Sequence, residues 1–293
     1  QQGEQDEEDE VDESELSQDE IVARNIARDV QRQVRRLRDA ARRHGLKWDD
    51  ALQERARAAA EDGGSGAAER ALAEADPQWN AHFADEEVLE AVRKDVNRTH
   101  SGINFFARPN SRASLEAILV IFAKLNSGIK YVQGMNEVLA PIYFVFATDP
   151  REAWNIHAEA DAFFCFSALM AEIRDHFIEE MDDTAGGVKA RLATLEQQLQ
   201  LHDPELAARL EEQGLRPQFY ALRWITTLLT REFELPDTVR LWDSLLADPR
   251  RFDFAETMCL SMVLQLREEL MNNDFGTNMK RLQHYVQDAE AFE

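Results

Sequence analysis

Apolar residues recur at steps of three and four along most of this 293-residue chain, the period of one face of an α-helix. Val22, Ile26, Val30, Val34, Leu37 and Ala41 form the first such stripe, on a rod rich in arginine. Ser17-Gln-Asp-Glu20 ahead of it has the spacing of a capping box and predicts its start. Gly45 and Trp48-Asp-Asp50 end that helix, and an alanine-rich one follows to about Ala60. Glu61-Asp-Gly-Gly-Ser-Gly66 reads as a flexible linker by composition. From Asp76-Pro77 the pattern changes to long helical stretches with few glycines or prolines, beginning with Trp79, His82, Phe83, Val88, Leu89 and Val92. Leu115, Ile118, Leu119 and Phe122 predict a core helix over 114–125. Phe163, Phe164, Phe166, Leu169 and Met170 predict an aromatic core cluster. Asp203-Pro204 is a helix start, and 219–229 is apolar enough to be buried. Leu235-Pro236-Asp237 starts a helix with Val239, Leu241, Trp242, Leu245 and Leu246 inward. Helices over 254–270 and 276–286 close the chain. No run alternates apolar and polar residues long enough for a sheet, so the expectation is an all-α fold in two helical subdomains.

Domain organisation follows from the same pattern. Residues 1–17 are expected to be an acidic disordered tail, 18–75 N-terminal helices with a Gly-rich linker that form a possible insertion, and 76–287 the main domain. The net charge of −23 is uneven. Residues 1–20 carry eleven acidic groups and no basic one, whereas 21–60 carry eleven basic against five acidic. The arginines of the first helix read as a solvated face beside acidic neighbours. A strongly acidic body argues against nucleic acid as partner and against unassisted docking on anionic membranes. The apolar run Val138 to Ala147 contains Pro141 and is about half the length that spans a bilayer, so no direct membrane insertion is expected. Cys165 and Cys259 show neither ligand nor redox spacing and are read as buried free thiols in a reducing, cytoplasmic setting. No signal peptide opens the chain. A start inside an acidic run, without methionine, reads as a fragment of a longer protein.

Motifs of a self-contained enzyme are missing: there is no Gly-rich phosphate loop, metal-spaced His/Cys/Glu set or nucleophile elbow. His100, His157, His176 and His202 are scattered, and adjacent acids such as Glu86-Glu87 arise by chance among 56. No metal or cofactor is assigned. Two stretches remain. Val92-Arg-Lys-Asp95-Val-Asn-Arg98-Thr99 puts an aspartate and an arginine on nearly one helix face. Asn126-Ser-Gly-Ile-Lys-Tyr131-Val-Gln133-Gly134-Met135-Asn136 puts a carboxamide beside a glycine in a turn between two apolar runs. In GTP hydrolysis a guanidinium stabilises charge on the transferring phosphoryl group, and a carboxamide both donates to and accepts from the attacking water. Spacing alone leaves two readings open: such a site, or a surface ion pair and an ordinary turn.

The two stretches resemble the IxxDxxR and YxQG motifs of the TBC domain, the GTPase-activating domain for Rab-family GTPases. Ala158-Glu-Ala-Asp-Ala-Phe-Phe-Cys-Phe166, Phe219-x-x-x-Arg223-Trp224 and Leu235-Pro-Asp-x-x-x-Arg240-Leu-Trp-Asp243 follow in the family's order, so the resemblance covers roughly 77–287. It implies a helical fold and a dual-finger mechanism, with Arg98 as arginine finger and Gln133 as the glutamine supplied in trans. Asp95 would be positional, Tyr131 and Gly134 would shape the loop, and Thr99 would be supporting. Arg223, Trp224, Arg240, Trp242 and Asp243 are read as fold-stabilising. The chain would then be an activator rather than an enzyme. Its partner would be a Rab in the GTP form that brings its own nucleotide and magnesium, and membrane association would come only through that partner. The alternative is a TBC-type module that binds a small GTPase without stimulating it. One departure is visible. The family's usual opening R-x-x-x-W is missing, Arg43 and Trp48 being five apart, which leaves two readings open: the element lies upstream of residue 1, or residues 18–75 replace it.

Overall fold

The structure is a computed structural model that describes residues 18–63, 66–177 and 187–285. The expected acidic tail and the middle of the Gly-rich linker lie outside the described residues. All regular structure among them is helical, and none of their helices is long and apolar enough to cross a membrane. The chain divides into two compact units, Gln1–Glu87 and Val88–Glu293.

In the first unit α1 (Gln18–His44), α2 (Asp50–Gly63) and α3 (Ala67–Ala75) are followed by the start of α4 (Pro77–Arg98). The helical pattern of α2 continues through Gly63, past the point where composition predicts a linker. Ala56, Ala60, Ala68 and Leu72 are buried where α2 and α3 pack. Small side chains allow the close approach of two helix axes. Trp79 closes this core against Trp48 and Phe83, its indole N–H donating to the Lys47 carbonyl at 2.9 Å. The apolar stripe of α1 is buried at Val30, Leu37 and Ala41 and partly covered at Val34, while Val22 and Ile26 are more than half exposed.

The second unit holds the end of α4 and then α5 (Asn104–Ala107), α6 (Pro109–Leu125), α7 (Met135–Ala147), α8 (Glu152–Asn155) and α9 (Ala158–Ile173). After them come α10 (Val188–His202), α11 (Pro204–Glu212), α12 (Ala221–Thr226), α13 (Leu235–Ala247), α14 (Arg251–Gln265), α15 (Arg267–Asn272) and α16 (Phe275–Gln283). Helix starts follow local chemistry. Pro109, Pro204 and Pro236 sit in first turns, where the missing N–H costs nothing. Asp203 and Asp274 cap α11 and α16 by accepting from Leu206 N and Thr277 N at 3.0 and 2.8 Å.

Two buried clusters fill this unit. One gathers α4, α6, α7 and α9 around Leu119, Met135, Leu139 and Phe166, and Trp242 of α13 reaches into it. The other gathers α10, α11, α12, α14 and α15 around Leu195, Leu206, Trp224, Val263 and Leu270. Consecutive residues in the turn after α12 serve both, because Leu228 belongs to the first cluster and Leu229 to the second. Both are left-handed, with φ of 50° and 65°. The turn is fixed by Trp242 Nε1–H donating to Leu228 O at 2.9 Å and by Leu229 N–H donating to Trp224 O at 2.8 Å. A left-handed non-glycine residue costs roughly 1–2 kcal/mol, and burying a leucine returns about 1.5–3 kcal/mol, so burial holds the strain in place.

Some expected core positions are corrected. Phe164 is 68% exposed, because it falls on the outer face of α9 while Ala162, Phe166 and Leu169 take the inner one. Leu246, Phe219 and Leu222 are likewise exposed. Arg240 and Asp243, read as fold-stabilising, are exposed and form no hydrogen bond or ion pair among the described residues. Cys165 is exposed rather than buried, whereas Cys259 is buried and burial pushes its thiol up to about 12.

Two outcomes follow for the folded chain. Iodoacetamide at neutral pH should give one adduct by mass spectrometry, on Cys165, with Cys259 reacting only in denaturant. Parallel labelling of both thiols would overturn this placement. Truncating Leu229 to Ala or Gly should destabilise by about 2–5 kcal/mol. The glycine variant should be the more stable of the two by about 1 kcal/mol, reversing the usual order in which glycine is worse by roughly 0.5–1 kcal/mol. Urea midpoints decide, and an alanine variant that outlasts glycine means the turn is not left-handed.

Candidate functional site

Asp95 and Arg98 lie in the last turn of α4 with Thr99 directly after it, and Tyr131, Gln133 and Gly134 lie in the turn that precedes α7. The fold brings the two segments together through one buried carboxylate. Asp95 Oδ1 pairs with Arg98 Nη2 at 2.8 Å, and Asp95 Oδ2 accepts from the Tyr131 hydroxyl at 2.6 Å. The Asp95 main-chain oxygen accepts from the Thr99 hydroxyl at 2.9 Å. Thr99 Oγ1 accepts in turn from Asn136 Nδ2 at 2.8 Å, and Asn136 Oδ1 accepts from Gly134 N–H at 3.2 Å. The network thus closes on itself across the two segments. Burial, and then the hydrogen bond to Asp95, push the Tyr131 phenol well above its ordinary range. It therefore acts there as an O–H donor.

Backbone strain marks the same place. Among the described residues the non-glycine positions with positive φ are His100, Lys130, Leu228 and Leu229, which flank the segments that build the site. Strain of this kind persists where packing over-determines it, and it clusters at functional sites. Gly134 has φ of 108° and stands as N-cap of α7. A side chain there would be strained, and its Cβ would lie 3.7 Å from Thr227 Cγ2.

Arg98 and Gln133 emerge from this network on one side of a cleft of about 230 Å³, and Leu222, Arg223, Thr226, Thr227 and Arg231 line it from α12 and the turn beyond. The Arg98 side chain is 49% exposed and Gln133 is exposed. Arg223 is fixed from behind, its Nε and Nη2 donating to the two carboxylate oxygens of Glu232 at 2.7 and 2.8 Å, with Nη2 also donating to Gln283 O at 2.6 Å. Glu232 is buried, and burial holds its carboxyl above the usual range although Arg223 pulls it down. Trp224 is fully buried. Arg223 and Trp224 therefore act as the fold ties expected of them, and Arg223 also lines the cleft.

Glu137, buried in the cleft lining, has its Oε2 3.9 Å from His100 Nε2. Burial raises the Glu137 carboxyl, opposed by Arg231 and Arg98. Burial lowers the His100 imidazole, and Arg231 lowers it further. Every candidate site residue read from the sequence thus belongs to one network or one cleft. Sequence reasoning assigned no role to Asn136, Glu137, Thr227 or Arg231. The visible signal for the first two was a pair of polar residues heading the apolar run that becomes α7.

If the network is one unit, its parts are coupled. Tyr131→Phe leaves buried Asp95 one donor short and should cost about 1–3 kcal/mol. Asn136→Ala frees Thr99 Oγ1 and Gly134 N–H and should cost a similar amount. The double variant should lose at least about 0.5 kcal/mol less than the sum. Strict additivity in urea denaturation would show that the two segments are not held by a shared network.

Comparison with known proteins gives four findings. The family model for the Rab-GTPase-TBC domain matches residues 69–271. Mouse (Mus musculus) TBC1 domain family member 13 is 40% identical over 275 residues, which cover 72% of this chain and 69% of that protein. Human (Homo sapiens) TBC1 domain family member 5 is 31% identical over 246 residues, covering 71% and 31% respectively. The crystal structure of the Ypt/Rab-GAP domain of Gyp1p superposes with a TM-score of 0.63 at 21% identity, over 88% of this chain and 74% of that one. The last similarity speaks for the fold.

Proposed function

The chain belongs to the Rab-GTPase-TBC domain family, and on that premise we propose that it accelerates GTP hydrolysis by a Rab-family small GTPase. Arg98 serves as the arginine finger and Gln133 as the glutamine finger, both delivered in trans to a nucleotide and magnesium ion that the partner carries. The observation that carries this reading is the shared cleft: the two exposed side chains line one pocket and stand on one buried hydrogen-bond network.

The chemistry fits those positions. Charge accumulates on the phosphoryl oxygens in the transition state, and a guanidinium brought to them in a site that excludes water stabilises that charge without reorganising. Arg98 has one nitrogen on Asp95, and a guanidinium carries five N–H donors in a fixed fork. Donors therefore remain to face an anion while the pair with Asp95 aims the group. Gln133 offers both a donor and an acceptor to an attacking water. Gly134, lacking a side chain, leaves the partner room against the backbone. The chain itself hydrolyses nothing in this reading. It works in the cytoplasm and reaches endomembranes through its partner.

Single-turnover GTP hydrolysis across a panel of Rab proteins tests the reading. At least one Rab should be accelerated by about 10³–10⁵. Arg98→Ala should remove most of that gain. Arg98→Lys should restore little of it, because a point charge does not replace the planar fork. Gln133→Ala should lower the stimulated rate by roughly 10²–10³. Binding should favour GDP with aluminium fluoride over GDP alone. Stimulation that survives both alanine substitutions sinks the finger assignment. Nucleotide-dependent binding without stimulation would leave a module that binds the GTPase and does not activate it.

A further inference from the structure

The cleft holds three guanidinium groups, and two of them are engaged from within the chain. Arg98 is paired with Asp95, and Arg223 is clamped by Glu232 and Gln283 O. Arg231 is exposed, lines the same cleft, and forms no hydrogen bond or ion pair among the described residues. Its position is built rather than incidental, because it stands two residues beyond the strained turn at Leu228 and Leu229. Thr230 between them is fully buried, and Glu232 after it is buried with its carboxylate on Arg223. The backbone on both sides of Arg231 is therefore anchored while its side chain is left to solvent. Its sign also stands out, since the chain carries −23 overall. An anionic partner is repelled by most of such a surface and drawn to the few places where cations converge.

We propose that Arg231 is a partner-gripping residue, which binds a carboxylate or phosphate oxyanion of the GTPase from the α12 side of the cleft as Arg98 and Gln133 engage. This rests on the activator reading and adds a contact that sets affinity and orientation rather than chemistry. A planar guanidinium with its whole fork unengaged can take either oxyanion with two parallel hydrogen bonds. Charges at the rim of an interface act mainly on association rate and salt dependence. The side chain also sits within electrostatic reach of buried Glu137 and His100, lowering both. A merely structural role would be to offset Glu137, and the test must separate the two.

The experiment uses the full chain and its Arg231→Ala, Arg231→Lys and Arg231→Glu variants, each with its melting curve recorded. Hydrolysis by the responding Rab is followed against activator concentration at two salt concentrations, alongside direct binding of the Rab loaded with GDP, a GTP analogue, or GDP with aluminium fluoride. Arg231→Ala should raise the half-saturating concentration about tenfold with the plateau rate unchanged, and should weaken the salt dependence of association. Arg231→Lys should recover part of the affinity, and Arg231→Glu should lose more than alanine does. A loss equal in all nucleotide states identifies a carboxylate of the partner as the anion. A loss confined to the γ-phosphate states identifies the nucleotide. Unchanged half-saturation, or a fall in plateau rate alone, overturns the proposal while the activator reading stands. An affinity that depends on Arg231 without any stimulation upholds the grip and overturns the activator reading. If no Rab binds or responds, both fall. A lowered melting temperature in Arg231→Ala that Glu137→Gln restores, with affinity intact, shows that Arg231 only balances charge.

Discussion

Leu228 and Leu229 must face two different hydrophobic cores from adjacent positions. A right-handed helical continuation turns successive side chains by about 100°, since it has 3.6 residues per turn, and keeps the chain advancing along one axis. Two left-handed residues instead end α12 and redirect the chain between the clusters. Trp242 locks the result by holding Leu228 O, and it does so from a helix that contacts both α7 and α14. The site depends on this constraint as much as the fold does. Thr227, just before the turn, packs near Gly134, and Arg223 reaches past the turn to Glu232. The cleft is where the walls of the two cores are forced to meet.

The second organising element is the Asp95 carboxylate. Three groups from two segments converge on Asp95, and the Arg98 fork is the part of the assembly that reaches solvent. A buried carboxylate that lacked the Arg98 and Tyr131 donors would be strongly unfavourable. Folding of the Tyr131 turn and of the α4 end are thereby made conditional on each other. What lies beneath Arg98 is a connected set of hydrogen bonds that joins the two segments.

Much of the fold is legible in the chain because helices write their burial pattern locally. The steps of three and four at Leu115, Ile118, Leu119 and Phe122 become a buried face, and Asp203-Pro204 becomes a capped start. Clusters without a strict period were less informative. Phe163 and Phe164 are neighbours in sequence yet face different surroundings, since adjacent helical residues point about 100° apart. The same holds for Leu245 and Leu246. Arg98 and Gln133, the proposed fingers, could be located because the motifs that hold them keep fixed spacing within one segment each. Arg231 could not, because its place in a cleft is set by the assembly of α4, α7 and α12 and by a turn whose left-handed leucines break the propensity rules that sequence reading relies on. Arg240 and Asp243 show the converse, a motif match without a structural tie.

The pairing of Arg98 with Asp95 has a consequence for timing and affinity. A free arginine side chain samples rotamers worth about 2 kcal/mol of entropy, and an interface that must freeze one gives up that much of its affinity. Here the freedom is surrendered when the protein folds, offset by a 2.8 Å ion pair to a buried oxygen. Whatever anion enters the cleft meets a guanidinium that has already stopped searching.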